Sequence, residues 1–118
     1  NWQGYREDLI ATINLGKEKE ISTISLGCMQ DIKSWIFFPK KVEYFSSVNG
    51  EDFTFLGTIN TAFSDSLEGS FVNDYTLRLK NTKAKYIKVK AKNYGICPDW
   101  HLGAGGKTWL FVDELIIK

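Results

Sequence analysis

In seven separate stretches of this chain the apolar residues fall on every second position, and no stretch carries the three-to-four spacing of a helix face. Leu9, Ala11, Ile13 and Leu15 share one face while Thr12 and Asn14 take the other, and Gly16 stops the run. After the charged residues Lys17 to Glu20, read as a turn, a second strand is predicted from Ile21 to about Met29, with Ile24, Leu26 and Cys28 on one side. Further strands are expected over Lys40–Ser47, around Phe53, Phe55 and Ile59, over Phe71–Leu79, over Tyr86–Ala91 and over Leu110–Ile117. Asn49-Gly50 between two alternating runs is the favoured pair for a tight hairpin turn. Asn60–Ser70 reads as a polar loop, Lys80–Lys85 as a basic turn, and Asn1–Glu7 as a loop leading into the first strand. Strands without helices predict an all-β, antiparallel β-sandwich.

One long segment obeys neither period. Asn93 to Thr108, NYGICPDWHLGAGGKT, holds one of the two cysteines, one of the two prolines, the only histidine, one of the four tryptophans and four of the ten glycines. Long irregular loops in small domains are usually functional or disordered, and the rings here argue for order. Asp99 against Lys107 leaves the segment nearly neutral, which suits a sugar better than a phosphate.

Composition narrows the partners. At 118 residues, 43% hydrophobic and 25% charged, the chain fits one globular domain over residues 1–118. A net charge of +1 with scattered lysines disfavours nucleic acid and anionic membrane as partners. No apolar run approaches the ~20 residues that span a bilayer. The opening Asn1 suggests a domain excised from a longer protein. Cys28 and Cys97 leave one bridge or two free thiols open.

Catalytic chemistry is sparse. His101 and Cys97 are four residues apart with no orienting third group or oxyanion motif, so no enzymatic activity is expected of this domain. Gly103–Gly106 followed by Lys107 lacks phosphate-loop spacing and precedes a strand rather than a helix. What remains is a set of rings and small polar groups in loops: Trp2, Gln3 and Tyr5; Gln30, Asp31 and Trp35; Asp99, Trp100 and His101. A pyranose stacks its C–H face on a ring and shares its hydroxyls with Asp, Gln or His. Trp2 fits either a core edge or a ligand, and so does Trp35. Phe37 and Phe38 read as buried anchors.

Several stretches resemble a known family. INLGKEKEISTISLG (13–27), QDIKSWIFFPKKVEYFSSVNGEDF (30–53), AKYIKVKAKNYG (84–95) and WLFVDELIIK (109–118) together resemble the discoidin domain, also called coagulation factor five/eight type C. CPDWHLGAGGKTWLFVDEL (97–115) is similar to the C-terminal accessory domain of Bacteroides-type β-N-acetylhexosaminidases, the chitobiases. The resemblance implies a discoidin-like, galactose-binding-domain-like jelly roll whose first strand precedes Asn1. It also implies a non-catalytic carbohydrate-binding module of a secreted, periplasmic or outer-surface bacterial glycoside hydrolase. The ligand would be a glycan of N-acetylhexosamine or galactose type, contacted by Trp35, Asp31, Asp99, Trp100, His101, Gln3 and Tyr5. The parent's catalytic domain would be a second partner, with no nucleic acid and no membrane. Glu114 matches a glutamate with which family members hold a structural calcium. Alternatives are a module that packs on its catalytic domain without binding sugar, and a membrane- or protein-binding discoidin domain.

Overall fold

A 23-residue strand at ~3.3 Å per residue would reach roughly 75 Å if straight, yet the protein is 47 Å in its longest dimension. That strand, β2 (Leu9–Asp31), therefore bends, and its bend makes the fold. The computed structural model describes residues 2–61, 69–97, 101 and 105–118. Its other strands are β1 (Gln3–Tyr5), β3 (Lys41–Ser47), β4 (Thr54–Asn60), β5 (Ser70–Ala91) and β6 (Leu110–Ile117). Among the described residues the only helical piece is a 3₁₀ turn, Ile32–Ser34.

The strands are hydrogen-bonded in the order β1-β6-β2-β5-β3-β4, all antiparallel. β2 and β5 form a continuous ribbon with register shifts between Asn14 and Lys19 and between Ile21 and Thr23. On one side of the shifts, Leu9–Asn14 pairs with Tyr86–Ala91, and β3 adds to that part of β5. On the other side, Thr23–Asp31 pairs with Ser70–Arg78, and β6 adds to β2 between Ile24 and Met29. Each half of the ribbon thus belongs to a different layer, β1-β6-β2-β5 and β2-β5-β3-β4. Bulges increase local bend and twist, which folds one layer over the other as an antiparallel β-sandwich.

The core lies between the layers. Ile24, Leu26, Cys28, Tyr75 and Leu110 from one meet Val42, Tyr44, Ile87 and Val89 from the other. The Tyr44 hydroxyl donates to the Tyr75 carbonyl oxygen across the gap at 2.5 Å. Gly57 of β4 allows a close approach, since a Cβ there would sit 2.9 Å from Leu77 Cδ1 of β5.

Three local expectations change. Leu9–Leu15 and Ile21–Met29 are halves of β2, and Phe71–Leu79 and Tyr86–Ala91 are halves of β5, so Lys17–Glu20 and Lys80–Lys85 are not turns. At this corner Gly16–Glu20 is exposed throughout, so the apolar alternation fails, and the pairing with β5 shifts register after Asn14 and resumes at Lys19. Gly16 adopts φ +86°, and its N–H is held by Asn14 Oδ1 at 2.8 Å. Within the expected N-terminal loop, Gln3–Tyr5 pairs with Val112–Leu110 as a strand. The Asn49-Gly50 hairpin forms, but as a longer loop between Ser47 and Thr54. Asn49 Oδ1 accepts from the N–H groups of Glu51 and Asp52, and Gly50 takes φ +81°. Cys28 and Cys97 are free thiols, each buried in a different apolar cluster.

Candidate functional site

Three chain segments converge at one end of the sandwich. The first leaves β2 at Asp31, whose N–H and C=O pair with those of Ile36 at 2.8 and 3.0 Å. The 3₁₀ turn lies inside that closure and ends on Trp35 in the left-handed region at φ +64°. The second and third are 92–97 and 105–109. Phe37 N–H donates to the Trp109 carbonyl at 3.1 Å and Trp109 N–H to the Trp35 carbonyl at 2.8 Å, which fixes the first segment against the third.

A small second core lies beneath these segments. Ile32, Phe37 and Cys97 are buried in it, with Trp35 and Tyr94 half-buried on its surface. Phe37 meets Tyr94 edge-on at 4.6 Å, and Trp35 meets His101 nearly perpendicular at 5.9 Å. His101 is 8% exposed, and its Nε2 lies 2.5 Å from the Ile32 carbonyl oxygen. The histidine ring faces inward, against the 3₁₀ turn. Burial raises the Cys97 thiol pKa above its ordinary value, so this thiol is not primed as a nucleophile.

Asn93 joins the segments. Its Nδ2 faces the carbonyl oxygens of Tyr5, Glu7 and Thr108 at 3.3 to 3.4 Å. Its Oδ1 accepts from the Gly95 N–H at 2.8 Å and the Thr108 hydroxyl at 2.6 Å. Its own N–H donates to Asp8 Oδ1 at 2.9 Å. Above this buried amide opens a cleft of about 480 Å³, walled by Arg6, Lys40, Tyr94, Ile96 and Lys107. Lys107 pairs with Glu7 at 2.8 Å and Lys92 with Asp8 at 3.4 Å.

The residues singled out in the sequence are thus distributed unevenly. Trp35, Asp31 and His101 come together, although His101 is turned inward. Gln3 and Tyr5 lie on β1, with the Tyr5 hydroxyl donating to Gln3 Oε1 at 2.8 Å, so these two groups satisfy each other. Asp99 and Trp100 lie outside the described residues. Trp2 is 37% exposed. Phe37 and Phe38 are buried, as their run suggested, and Ile36 is buried with them, so this run offers no apolar spike. Glu114 stands exposed on β6, and among the described residues no three His, Cys, Asp or Glu side chains gather as metal ligands. Sequence reasoning missed Asn93, Arg6, Lys40 and Tyr94. The signal for Asn93 was the short turn Asn93-Tyr94-Gly95, in which the side chain caps the N–H two residues on.

No family model and no curated protein sequence matches the chain. Solved structures do. The module CBM32-3 from a family 31 glycoside hydrolase of Clostridium perfringens matches at TM-score 0.59 and 17% identity, over 99% of this chain and 70% of that one. CpGH89CBM32-5 of Clostridium perfringens, solved in complex with GalNAc-β-1,3-galactose, matches at TM-score 0.52 and 21% identity, over 90% of this chain. The chain has the fold of these carbohydrate-binding modules. It spans about three fifths of the second module's length, 62% of that chain. The C-terminal domain of a Bacteroides fragilis chitobiase also matches, at TM-score 0.45 and 17% identity, over 94% of this chain and 65% of that one. The discoidin-like sandwich expected from the sequence is the architecture observed, and its loop end carries Trp35, Tyr94 and the cleft.

Proposed function

We propose that this domain is a non-catalytic carbohydrate-binding module of a glycoside hydrolase, and that it takes its sugar at the loop end of the sandwich. The observation that carries this reading is that the half-buried Trp35 ring and an open cleft lie at the same end of the shared fold, joined by Tyr94, which packs on the same small core as Trp35 and walls the cleft. Rings that offer a stacking face, with hydrogen-bonding groups in the cleft next to them, suit both surfaces of a pyranose. The finer reading is an N-acetylhexosamine- or galactose-type ligand and a secreted β-N-acetylhexosaminidase as parent, with Asp99 and Trp100 as additional contacts. The chitobiase-like stretch 97–115 and the GalNAc-β-1,3-galactose held by one structural neighbour support it. Calorimetry with GalNAc-β-1,3-galactose, galactose, N-acetylgalactosamine and N-acetylglucosamine oligomers tests it. Binding at millimolar ligand or better that Trp35→Ala removes is the expected result, and silence with all four and on a glycan array sinks it.

One observation favours a second reading, a module that packs on its catalytic domain without binding sugar. The outer face of β3, β4 and β5 shows rings with lysines over them: Lys88 at 4.2 Å from the Phe53 centroid and 5.8 Å from Phe45, with Phe55 53% exposed. Loss of the isolated domain's solubility on this face, restored when the catalytic domain is attached, together with silent calorimetry, would favour it.

A further inference from the structure

The cleft at the loop end has more positive charge than its surroundings explain. Arg6, Lys40, Lys92 and Lys107 line it against only two carboxylates, Glu7 and Asp8, in a chain whose net charge is +1. Both carboxylates are occupied, Glu7 by Lys107 and Asp8 by Lys92 and the Asn93 N–H. The uncharged polar groups of the floor are occupied as well. The Asn93 amide is bonded at both ends, the Gly95 N–H is held by Asn93 and Thr108, and the Gly105 N–H is held by the Cys97 carbonyl.

Two cations are left over. Among the described residues neither Arg6 nor Lys40 has a carboxylate within ion-pair distance. Each is instead placed over a ring, Arg6 at 5.3 Å from the Trp109 centroid and Lys40 at 5.7 Å from that of Tyr94. Such a contact orients a cationic head without neutralising it. A neutral pyranose needs acceptors for its hydroxyl protons, and the cleft's two carboxylates are both in ion pairs. A sugar carrying a carboxylate or sulfate needs donors and positive charge. An arginine fork with a lysine beside it supplies these.

We propose that the cleft binds an acidic sugar, its carboxylate or sulfate held between Arg6 and Lys40. This rests on the glycan-binding reading and gives it a substrate class. The anion would lie over the Asn93-Gly95 turn, with Lys92 and Lys107 adding field from the walls.

Calorimetric titration of the whole domain with three probes tests it: a hyaluronan tetrasaccharide, which carries carboxylate and no sulfate; 6-sulfated N-acetyllactosamine, which carries sulfate and no carboxylate; and neutral N-acetyllactosamine. The expected result is binding of one or both anionic probes about tenfold or more above the neutral one, weakening as salt rises from about 50 to about 300 mM. Which anionic probe binds identifies the group recognised. Arg6→Gln and Lys40→Gln should each lower the anionic affinity about tenfold while leaving the melting temperature unchanged. Lys88→Gln, on the outer sheet face, should change nothing. Equal affinity for neutral and anionic probes, or anionic binding indifferent to both cleft substitutions, overturns the acidic-sugar assignment and leaves glycan binding intact. No binding of any probe, with no glycan captured on an array, overturns both.

Discussion

The Asn93 carboxamide oxygen and the Thr108 hydroxyl meet at 2.6 Å inside the loop end, where both residues are buried. Between them they bond the segment before β2, the turn after β5 and the approach to β6. Asn93→Ala would remove the side chain that reaches all three and would leave the Thr108 hydroxyl without its acceptor. A loss of about 2–4 kcal/mol is expected, because buried groups left unsatisfied cost more than the bonds themselves contribute. Urea unfolding of the variant measures it, and a loss within experimental error of zero would show that the loop end holds together without this amide.

Ionisation in the core gives a second expectation. Burial, with a smaller contribution from Asp74, pushes the Cys28 thiol from 9.0 up to about 12, and burial pushes the Tyr75 phenol from 10.0 up to about 12. Below pH 9 both groups keep their protons in either state, and the stability they confer is fully present. Above it the unfolded chain ionises first and binds fewer protons than the folded one, so stability falls as pH rises towards about 12. Each group contributes a slope of at most about 1.4 kcal/mol per pH unit. Cys28→Ala should flatten the alkaline fall between about pH 9 and about pH 11. Coincident slopes for the two proteins would mean that the fold does not hold this thiol protonated. In the folded protein at pH 8, Cys28 should also resist a thiol reagent until denaturant is added.

Metal removal gives a third. Glu114 is exposed and lacks a described set of companion ligands, so a chelator should leave the melting temperature unchanged. Thermal unfolding with a chelator and with millimolar calcium is the measurement. A rise of several degrees with calcium would reveal a site that the described residues do not form, since a ligand that binds only the folded state must stabilise it.

How far the sequence carries depends on which force placed each residue. Burial leaves a period behind: the alternation of Ile87 and Val89 inward against Lys88 and Lys90 was readable and holds, as does the anchoring of Phe37 and Phe38. A strand can run on where burial lapses, so the passage of β2 through Lys17–Glu20, with pairing resumed at Lys19, was hidden by a corner that water reaches. Polar bonds between distant residues leave no period at all. The inward turn of His101 depends on a carbonyl at Ile32, and the grip of Asn93 on the Tyr5 and Glu7 carbonyls joins residues whose positions only the completed fold defines. For the same reason the cleft was invisible. Arg6, Lys40 and Lys107 are scattered along the chain and become neighbours only when the loop segments meet.

The ribbon of β2 and β5 has one more consequence, for how the protein comes apart. Because both strands run through both layers, neither layer owns a complete set of strands, and melting one strips the partner edge from the other. The sandwich is therefore a single cooperative unit with no independently stable half. Its assembly must wait for residues as far apart in sequence as Leu9 and Ala91 to find register, a closure whose entropy makes folding slow compared with a helical domain of the same size.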